Sequence, residues 1–332
     1  LSCINEIKKI SSHQIKFILN SSNADFPYLM SDPRLTIMPS KMIDESIKNG
    51  IGTGPYRLRD FRPGEIMVAD RFLDHRSNIN SGFKYLEINA LNNPSDRFNL
   101  LRENQVDVIN SVPRVLEMLL SSDKNFNILN STSNAYICFP MNIDKKPFND
   151  VNIRLAIKYA CNRNEIIKNV FQGQGTIGND HPIKPTHPMY DSSIEQINYN
   201  PQKAKLLLKQ SGLEKLNLTL HTSEAAFPGA IDAAKIFKKF AKPANINISV
   251  SIEKKETYFN NARSDFHWYT DFSGGFPTAD WSFSANYKTN LPLDKNQWQN
   301  NKFEELLVSA RKETNNEIRK KIYSELQEIY LL

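Results

Sequence analysis

Residues 216–252 follow a strand–helix–strand pattern, and this pattern constrains the fold more strongly than any other part of the sequence. Residues 216–221 alternate leucine with polar residues, and residues 248–253 alternate β-branched with polar residues, as half-buried strands do. Between them, Ile231, Ala234, Phe237 and Ala241 recur at helical spacing. Two strands joined through one helix form a right-handed βαβ unit with parallel strands, so we predict an α/β protein.

The same unit predicts where a ligand would bind. In parallel sheets, ligands sit beyond the carboxyl ends of the strands. This rule selects the loop of residues 222–229 and the loop of residues 271–281, which follows a third predicted strand at residues 266–270. Gly274 and Gly275 allow a close approach of the backbone to a ligand, and Trp281 offers a large contact area, although it could also be a core aromatic.

Length and composition exclude several classes of protein. A chain of 332 residues exceeds what one hydrophobic core usually organises, so two lobes are expected. Its 42 basic and 36 acidic residues are scattered, without the basic clusters beside exposed aromatics that are typical of nucleic-acid binding. Cys3, Cys138 and Cys161 lack metal-ligand spacing. We therefore expect no nucleic-acid partner, no metal and no cofactor.

Neither a membrane span nor an export signal is recognisable in the sequence as given. No apolar run approaches the ~20 residues of a membrane span, and no signal peptide is present. The chain opens on Leu1 and stops within a predicted helix. We therefore expect a fragment that lacks both ends and has lost its export signal with the missing N-terminus.

Residues 147–175, PFNDVNIRLAIKYACNRNEIIKNVFQGQG, predict two consecutive helices. Asn149 and Asp150 are both good N-caps for the first helix, and Asn162 caps the second with Glu165 three residues on, as a capping box needs. By periodicity alone the stretch is simply two packed helices. Its letters also resemble the signature of the family 5 extracellular solute-binding proteins, which reads approximately PF-D-VR-A--YA-(D/N)R--I----G-G.

Other segments resemble the same family in the same order: GTGPY with PGE at residues 52–65, NPQKAKLLLKQSGL at 200–213 and FEELLVSA at 303–310. Residues 72–75 depart from it, because the family usually carries Asn-Pro-Asp-Tyr-Trp there. The resemblance implies a two-lobed periplasmic-binding-protein fold of type II, in the large peptide-binding subclass, with a hinged ligand cleft. Residues 1–138 would be part of the first lobe, and residues 139–332 most of the second.

The resemblance also extends the predicted site. In the family, the loop equivalent to residues 271–281 contributes ligand contacts; Asp280 aligns with its second aspartate, and Thr278 replaces the first. Dipeptide-binding relatives hold the terminal carboxylate of the peptide with an arginine in the loop equivalent to residues 222–229, where this chain has no basic residue. The candidate ligand-binding residues are Gly274, Gly275, Thr278, Asp280, Trp281, Glu224, Phe227 and Asn142.

The function implied by the resemblance is that of a monomeric, periplasmic receptor of an ABC transporter. It would capture an oligopeptide or peptide-like solute between two lobes by hinge closure and deliver it to the membrane permease, without enzymatic chemistry. A cleft-containing hydrolase and a chaperone-like binding protein are the alternatives. Glu224 and Asp280 could act as an acid–base pair, but no nucleophile–base arrangement accompanies them. His181 and His187 lack the third ligand of a metal site and are expected in loop or core roles.

Overall fold

The computed structural model describes residues 3–76, 83–112, 114–131, 133–287 and 299–331. The chain divides into two compact units: Leu1–Tyr28 with Ser131–Leu332 form the larger one, and Leu29–Asn130 form the smaller one. These bounds differ from the lobe division predicted at residues 1–138 and 139–332, which stays a prediction. None of the helices in the described ranges has the length and hydropathy of a membrane span.

The regular structure consists of short strands and helices. The strands in the described ranges are β1 (Ile4–Ser11), β2 (Gln14–Leu19), β3 (Tyr56–Arg62), β4 (Ile66–Arg71), β5 (Tyr85–Asn89), β6 (Tyr136–Cys138), β7 (Leu216–Thr222), β8 (Ile246–Ile252) and β9 (Asp271–Ser273). The helices are α1 (Phe26–Leu29), α2 (Ile43–Asn49), α3 (Pro94–Arg102), α4 (Arg114–Ser121), α5 (Val151–Ala160), α6 (Arg163–Val170), α7 (Pro201–Gln210), α8 (Ala230–Ala241), α9 (Tyr258–Ser264), α10 (Ala279–Tyr287), α11 (Asn301–Lys312) and α12 (Asn316–Leu331). A short 3-10 turn, Lys242–Ala244, follows α8 directly.

The predicted βαβ unit is confirmed in the larger unit. Strands β7 and β8 pair in parallel, from Leu216 opposite Ile246 to Thr222 opposite Ile252, and α8 connects them. Strand β7 is buried at alternate positions, because leucines face the core and polar residues face outward. The helix buries a stripe of alanines and Phe237 against the sheet.

The third predicted strand, residues 266–270, is displaced in the structure. The regular ladder is β9, at residues 271–273, which pairs antiparallel with β6. Residues 268 and 269 form only isolated bridges, Trp268 with Met141 and Tyr269 with His221. Pro140 lies opposite Tyr269 and accepts its N–H at 3.4 Å. Because proline has no N–H to return, the ladder is interrupted at this point.

Helices α5, α6, α7 and α8 share one core with this sheet. Trp268, 1% exposed, lies between the rings of Phe148 and Phe237 at the centre of that core. The predicted caps are confirmed: Asp150 accepts from the N–H of residue 152, and Asn162 accepts from the N–H of Glu165. The sequence stretch that resembles the family signature is therefore a central structural element of the larger unit.

A second core joins α10, α11 and α12. The ring of Phe283 lies 5.4 Å from Phe303 and 6.3 Å from Tyr323, and all three side chains are fully buried. The two amphipathic helices predicted after residue 301 are confirmed as α11 and α12. The predicted loop of residues 271–281 is irregular only in its middle, because β9 covers its first three residues and α10 begins at Ala279. This second core supports the end of that stretch through α10.

The smaller unit contains the predicted hairpin. Strands β3 and β4 pair antiparallel around a turn in which Gly64 has φ of 79°, and β5 adds to the other side of β4. A positive φ favours glycine at that position. The unit also contains α3, which begins with Asn93 as its N-cap and Pro94 at its first position.

Candidate functional site

Buried hydroxyl groups join the carboxyl end of β7 to the start of β9. The hydroxyls of Thr222 and Thr270 lie 3.1 Å apart, and the Tyr258 hydroxyl donates to the Thr270 carbonyl at 2.6 Å. Burial raises the pKa of Tyr258 to about 12, so the phenol stays protonated and keeps donating. The two loops that the topology selects, residues 222–229 and 271–281, therefore start from one fixed point.

The first loop is shaped by a carboxylate that caps α8. Glu224 accepts from the N–H of Gly229 at 2.9 Å and from the N–H of Ile231 at 3.3 Å. Both oxygens lie at the N-terminus of the helix, where its dipole favours negative charge. The Glu224 carboxylate is thus engaged in the loop itself, and a contact with ligand stays a prediction.

Phe227, in the same loop, is a core residue. Its side chain is 5% exposed, and its ring lies 6.2 Å from that of Phe171. Gly229 closes the loop with φ of 87°, and a Cβ there would lie 2.5 Å from the Val170 side chain. The inner side of this loop is therefore packed against α6, and a ligand-binding role for Phe227 stays a prediction.

The second loop packs closely against Asn134, just before β6, at the position of Gly275. This glycine has φ of 72°, and a Cβ on it would lie 2.2 Å from the carbonyl oxygen of Asn134. Asn134 donates from its side-chain amide to the carbonyl of Phe276 at 2.7 Å. Gly274 is different, because a Cβ there would meet no atom within 4 Å. The backbone is fixed at Gly275 and open at Gly274.

Trp281 follows these two glycines in the same stretch of chain and is partly exposed. Its ring stacks on that of Phe276, with centroids 5.4 Å apart and planes inclined at 27°. The stack holds the indole in one orientation and leaves part of its surface accessible. In this loop Gly274 is exposed and Trp281 is partly exposed, so both are accessible to solvent, and their contact with a ligand stays a prediction.

Thr278 and Asp280 fix the start of α10. The Thr278 hydroxyl accepts from the N–H of Trp281 at 3.1 Å, which makes it the N-cap of the helix. Asp280 is 6% exposed, and Arg311 donates to it from Nε and Nη2, at 3.1 and 2.9 Å. Burial raises the pKa of Asp280, while the Arg311 guanidinium opposes that shift. Both residues have structural partners here, and ligand contacts by either stay a prediction.

Asn142 lies where the chain leaves the sheet after β6. Its main-chain N–H donates to the carbonyl of His267 at 2.8 Å, and its side-chain oxygen accepts from the N–H of Asp144 at 3.1 Å. The side chain therefore forms an Asx turn, with its amide nitrogen directed away from that bond. Its predicted ligand contact is likewise untested by this geometry.

Three residues that organise the site were missed in the sequence. Tyr258, Arg311 and Asn134 lie outside both selected loops, yet each fixes one of them. Arg311 sits in the last turn of a helix, where a basic residue needs no further explanation. Nothing in the local sequence around Asn134 or Tyr258 indicates these contacts, because their partners lie elsewhere along the chain.

The histidines take the loop and core positions expected of them. His181 is buried and accepts from the N–H of Ile183 at 3.3 Å, and His187 accepts from the N–H of Met189 at 3.0 Å. His221 pairs with Glu253 at 2.8 Å and stacks on Phe266. Within the described ranges, no group of three His, Cys, Asp or Glu side chains is placed to hold a metal ion.

Comparison with known proteins identifies the family of this chain. Residues 2–292 match the sequence model for bacterial extracellular solute-binding proteins, family 5 middle. The dipeptide-binding protein of Escherichia coli is 25% identical over 98% of this chain and 64% of its own length. Heme-binding protein A of Haemophilus influenzae is 27% identical over 63% of this chain and 40% of its own length. The chain thus spans less than two thirds of these curated relatives.

A solved structure supports the fold. The putative peptide binding protein AppA from Clostridium difficile superposes with a TM-score of 0.86, at 18% identity, over 98% of this chain and 70% of that one. At this identity the likeness concerns the fold alone. It confirms the predicted periplasmic-binding-protein fold of type II.

Proposed function

The chain belongs to the family 5 bacterial extracellular solute-binding proteins, and on that premise we propose that it forms the solute-capturing part of an ABC importer's receptor. The solute would be a peptide or a peptide-like molecule, delivered to a permease in the membrane. The proposal extends to an extracytoplasmic, periplasmic location and to action as a monomer. The names of curated relatives support a solute of this kind, since they include a dipeptide-binding protein.

The proposal depends mainly on one observation: the segment of residues 271–281 is fixed by contacts at two positions and accessible beside them. It is fixed at Gly275 by the close approach of Asn134 and at Asp280 by Arg311. On either side of these two fixed points, Gly274 is open and Trp281 is partly exposed. A binding surface held in shape before the ligand arrives loses little entropy on binding, which suits capture of a dilute solute.

The solute we propose is not a free dipeptide held by its two ends. The loop of residues 222–229 contains no basic side chain to pair with a terminal carboxylate, and its one acid, Glu224, is occupied by amides of α8. Thr278, which replaces an aspartate of the family, carries no charge for an ammonium group. A longer or modified peptide, bound through backbone groups near Gly274 and by contact with Trp281, fits these residues better.

Binding without catalysis is part of the same proposal. Glu224 and Asp280 are the carboxylates that could have formed an acid–base pair between the two loops. Glu224 caps α8, and Asp280 accepts both hydrogen bonds of the Arg311 fork. Both carboxylates therefore have structural partners in this fold, whereas a general acid or base acts on a substrate proton within its own hydrogen-bond reach.

The experiment that tests this function starts from the full-length protein. It should be purified without denaturant, and any solute released from it identified by mass spectrometry. Calorimetry with the identified solute, with simple dipeptides and with longer peptides then measures which class binds. We expect peptide-like solute to be released and longer peptides to bind more tightly than dipeptides. Release of chemically altered products from added peptides would contradict the proposal.

A further inference from the structure

Six exposed lysines gather at the end of the βαβ unit opposite the two loops. They lie on the outer side of α7, immediately before β7, in the last turn of α8 and in the 3-10 turn after it. We name this surface the basic end; it consists of Lys205, Lys209, Lys215, Lys238, Lys239 and Lys242.

Main-chain contacts bring these segments together. The N–H of Leu216 donates to the carbonyl of Asn245 at 3.0 Å, and the side-chain amide of Asn245 donates to the carbonyl of Glu214 at 3.1 Å. The start of β7 therefore lies beside the 3-10 turn. The Tyr199 hydroxyl donates to the carbonyl of Phe240 at 2.9 Å, which joins the segment before α7 to the end of α8. The basic end is thus built into the fold of the larger unit.

The positive charge of this surface is not neutralised locally. None of its six lysines forms an ion pair with another described residue. Nearby, Asp232 is already paired with Lys235 at 3.1 Å, and Glu214 is a single exposed acid beside Lys215. Like charges held close together repel one another, and an anionic partner relieves that repulsion.

Helix dipoles account for only part of the pattern. Lys209, Lys238 and Lys239 lie in last turns, where a positive charge stabilises a helix. Lys205 lies in the middle of α7, and Lys215 precedes a strand. A helix dipole does not explain these two positions.

We propose that the basic end docks on the anionic phospholipid headgroups of the membrane surface. An ammonium group is a strong point donor to phosphate oxygens, and exposed lysines near an anionic bilayer each add to the attraction. Leu206, 57% exposed, lies between Lys205 and Lys209 and supplies an apolar contact for the interface. The proposal rests on the proposed function, in which solute is handed over at the membrane.

The geometry keeps docking and solute binding apart. The basic end lies at the amino ends of β7 and β8, and the loop of residues 222–229 follows the carboxyl end of β7. Seven residues of strand separate them, or roughly 20 Å at the usual rise. Docking by the basic end therefore leaves the two loops uncovered.

The test measures binding of the full-length protein to lipid vesicles by co-flotation. One set of vesicles contains phosphatidylglycerol in phosphatidylcholine, and the other contains phosphatidylcholine alone. We expect binding to the first set only, weakened by salt. The triple variant Lys209→Gln, Lys239→Gln, Lys242→Gln should bind roughly a hundredfold more weakly, since each lysine lost near the surface removes a similar share of the attraction.

A control variant removes the same net charge elsewhere on the larger unit. Lys9→Gln, Lys16→Gln, Lys168→Gln changes three exposed lysines outside the basic end, and it should bind vesicles almost as the unmodified protein does. Equal losses in the two variants would show a net-charge effect and overturn the proposal. Binding to proteoliposomes that requires the permease and does not require anionic lipid would also overturn the proposal. In that case the partner of the basic end would be an acidic protein surface.

Solute binding is measured on the same variants by calorimetry. We expect the basic-end variant to bind solute as the unmodified protein does. Failure of vesicle binding with solute binding intact would overturn the docking proposal alone, and failure of solute binding in the unmodified protein would overturn the proposed function alone.

Discussion

Arg311 donates two hydrogen bonds to the Asp280 carboxylate, from Nη2 to Oδ1 at 2.9 Å and from Nε to Oδ2 at 3.1 Å. The pair joins the first turn of α10 to the last turn of α11, and the two side chains are 26% and 8% exposed. A bidentate pair in this position has fixed geometry as well as charge. It ties the loop of residues 271–281 to the second core of the larger unit.

Replacing Arg311 by alanine should lower the free energy of unfolding by about 3 kcal/mol, because it leaves the buried Asp280 carboxylate without its partner. Chemical denaturation of the full-length protein measures the change. Lys235→Ala is the matched control, since it breaks an ion pair whose side chains are 60% and 69% exposed. That control should change stability by less than about 0.5 kcal/mol. Equal effects of the two substitutions would contradict the structural role of Arg311.

Adjacent glycines in the same loop should respond differently to alanine. Gly275→Ala places a Cβ 2.2 Å from the Asn134 carbonyl oxygen at a residue with φ of 72°. We expect a loss of roughly 2 kcal/mol or more in unfolding free energy, since both backbone strain and a steric clash result. Gly274→Ala meets no atom within 4 Å and should change stability by less than about 1 kcal/mol. Thermal denaturation of both variants decides it; similar melting temperatures would show that the loop is not pinned at Gly275.

Trp281→Ala should weaken solute binding roughly thirtyfold, on the scale of about 2 kcal/mol for an aromatic hot spot. The partly exposed indole is held by its stack on Phe276, so Trp281→Phe should retain most of the affinity. Calorimetry with the solute that co-purifies with the full-length protein gives both values. Micromolar binding of simple dipeptides would contradict the proposal that the solute is a longer peptide. If that binding were also insensitive to Trp281→Ala, Trp281 would not be part of the binding site.

His181 makes the stability of the protein depend on pH. Burial lowers its pKa from 6.5 to about 4, so between these values the unfolded chain binds a proton that the folded chain does not. Stability is fully present above pH 6.5 and falls as the pH drops toward 4, by up to about 3 kcal/mol for a shift of this size. The measurement is the unfolding free energy as a function of pH.

The control for this effect is the variant that cannot titrate. His181→Gln should reduce the pH dependence between pH 4 and 6.5, whatever its effect on absolute stability. His187, whose pKa is also lowered by burial, should account for part of the dependence that remains. An unaltered slope in the His181 variant would mean that other groups cause the acid sensitivity.

Tyr258→Phe should cost about 1–3 kcal/mol, because it leaves the buried Thr270 carbonyl without its donor. The loss should appear in hydrogen exchange as faster exchange of the amides around residues 222 and 270, which the hydroxyl cluster joins. Tyr199→Phe, which removes a donor to a helix-terminal carbonyl at α8, is the comparison. Exchange at residues 222 and 270 should not respond to that second change.

Several elements could be predicted from the sequence because they depend on neighbouring residues. The alternation in β7 and β8, the stripe on α8 and the caps at Asp150 and Asn162 all match the structure. Periodicity records which face of an element is buried, and a cap bonds to an amide two or three residues away. These features depend only on residues that are close together in the sequence, so they can be read from the sequence alone.

The strand at residues 266–270 shows where this reasoning fails. Its alternation is compatible with a strand, but its partner segment places Pro140 opposite Tyr269 and interrupts the ladder. The predicted roles of Glu224 and Phe227 depend on their orientation in the same way. Both residues lie in the selected loop, and the structure directs one to the N-terminus of α8 and the other into the core.

The sequence by itself determined the α/β class, the βαβ unit, the loop that follows β7 and, through its motifs, membership of a solute-binding family. Only the tertiary structure decided which side chains of those loops are already occupied. Asp280 meets Arg311 across 31 residues, and Asn134 meets the carbonyl of Phe276 across 142. Hydrogen bonds of this kind join residues that no local pattern relates, because the distance between two side chains is set by the packing of whole elements. The same packing brings six lysines from four segments to one surface.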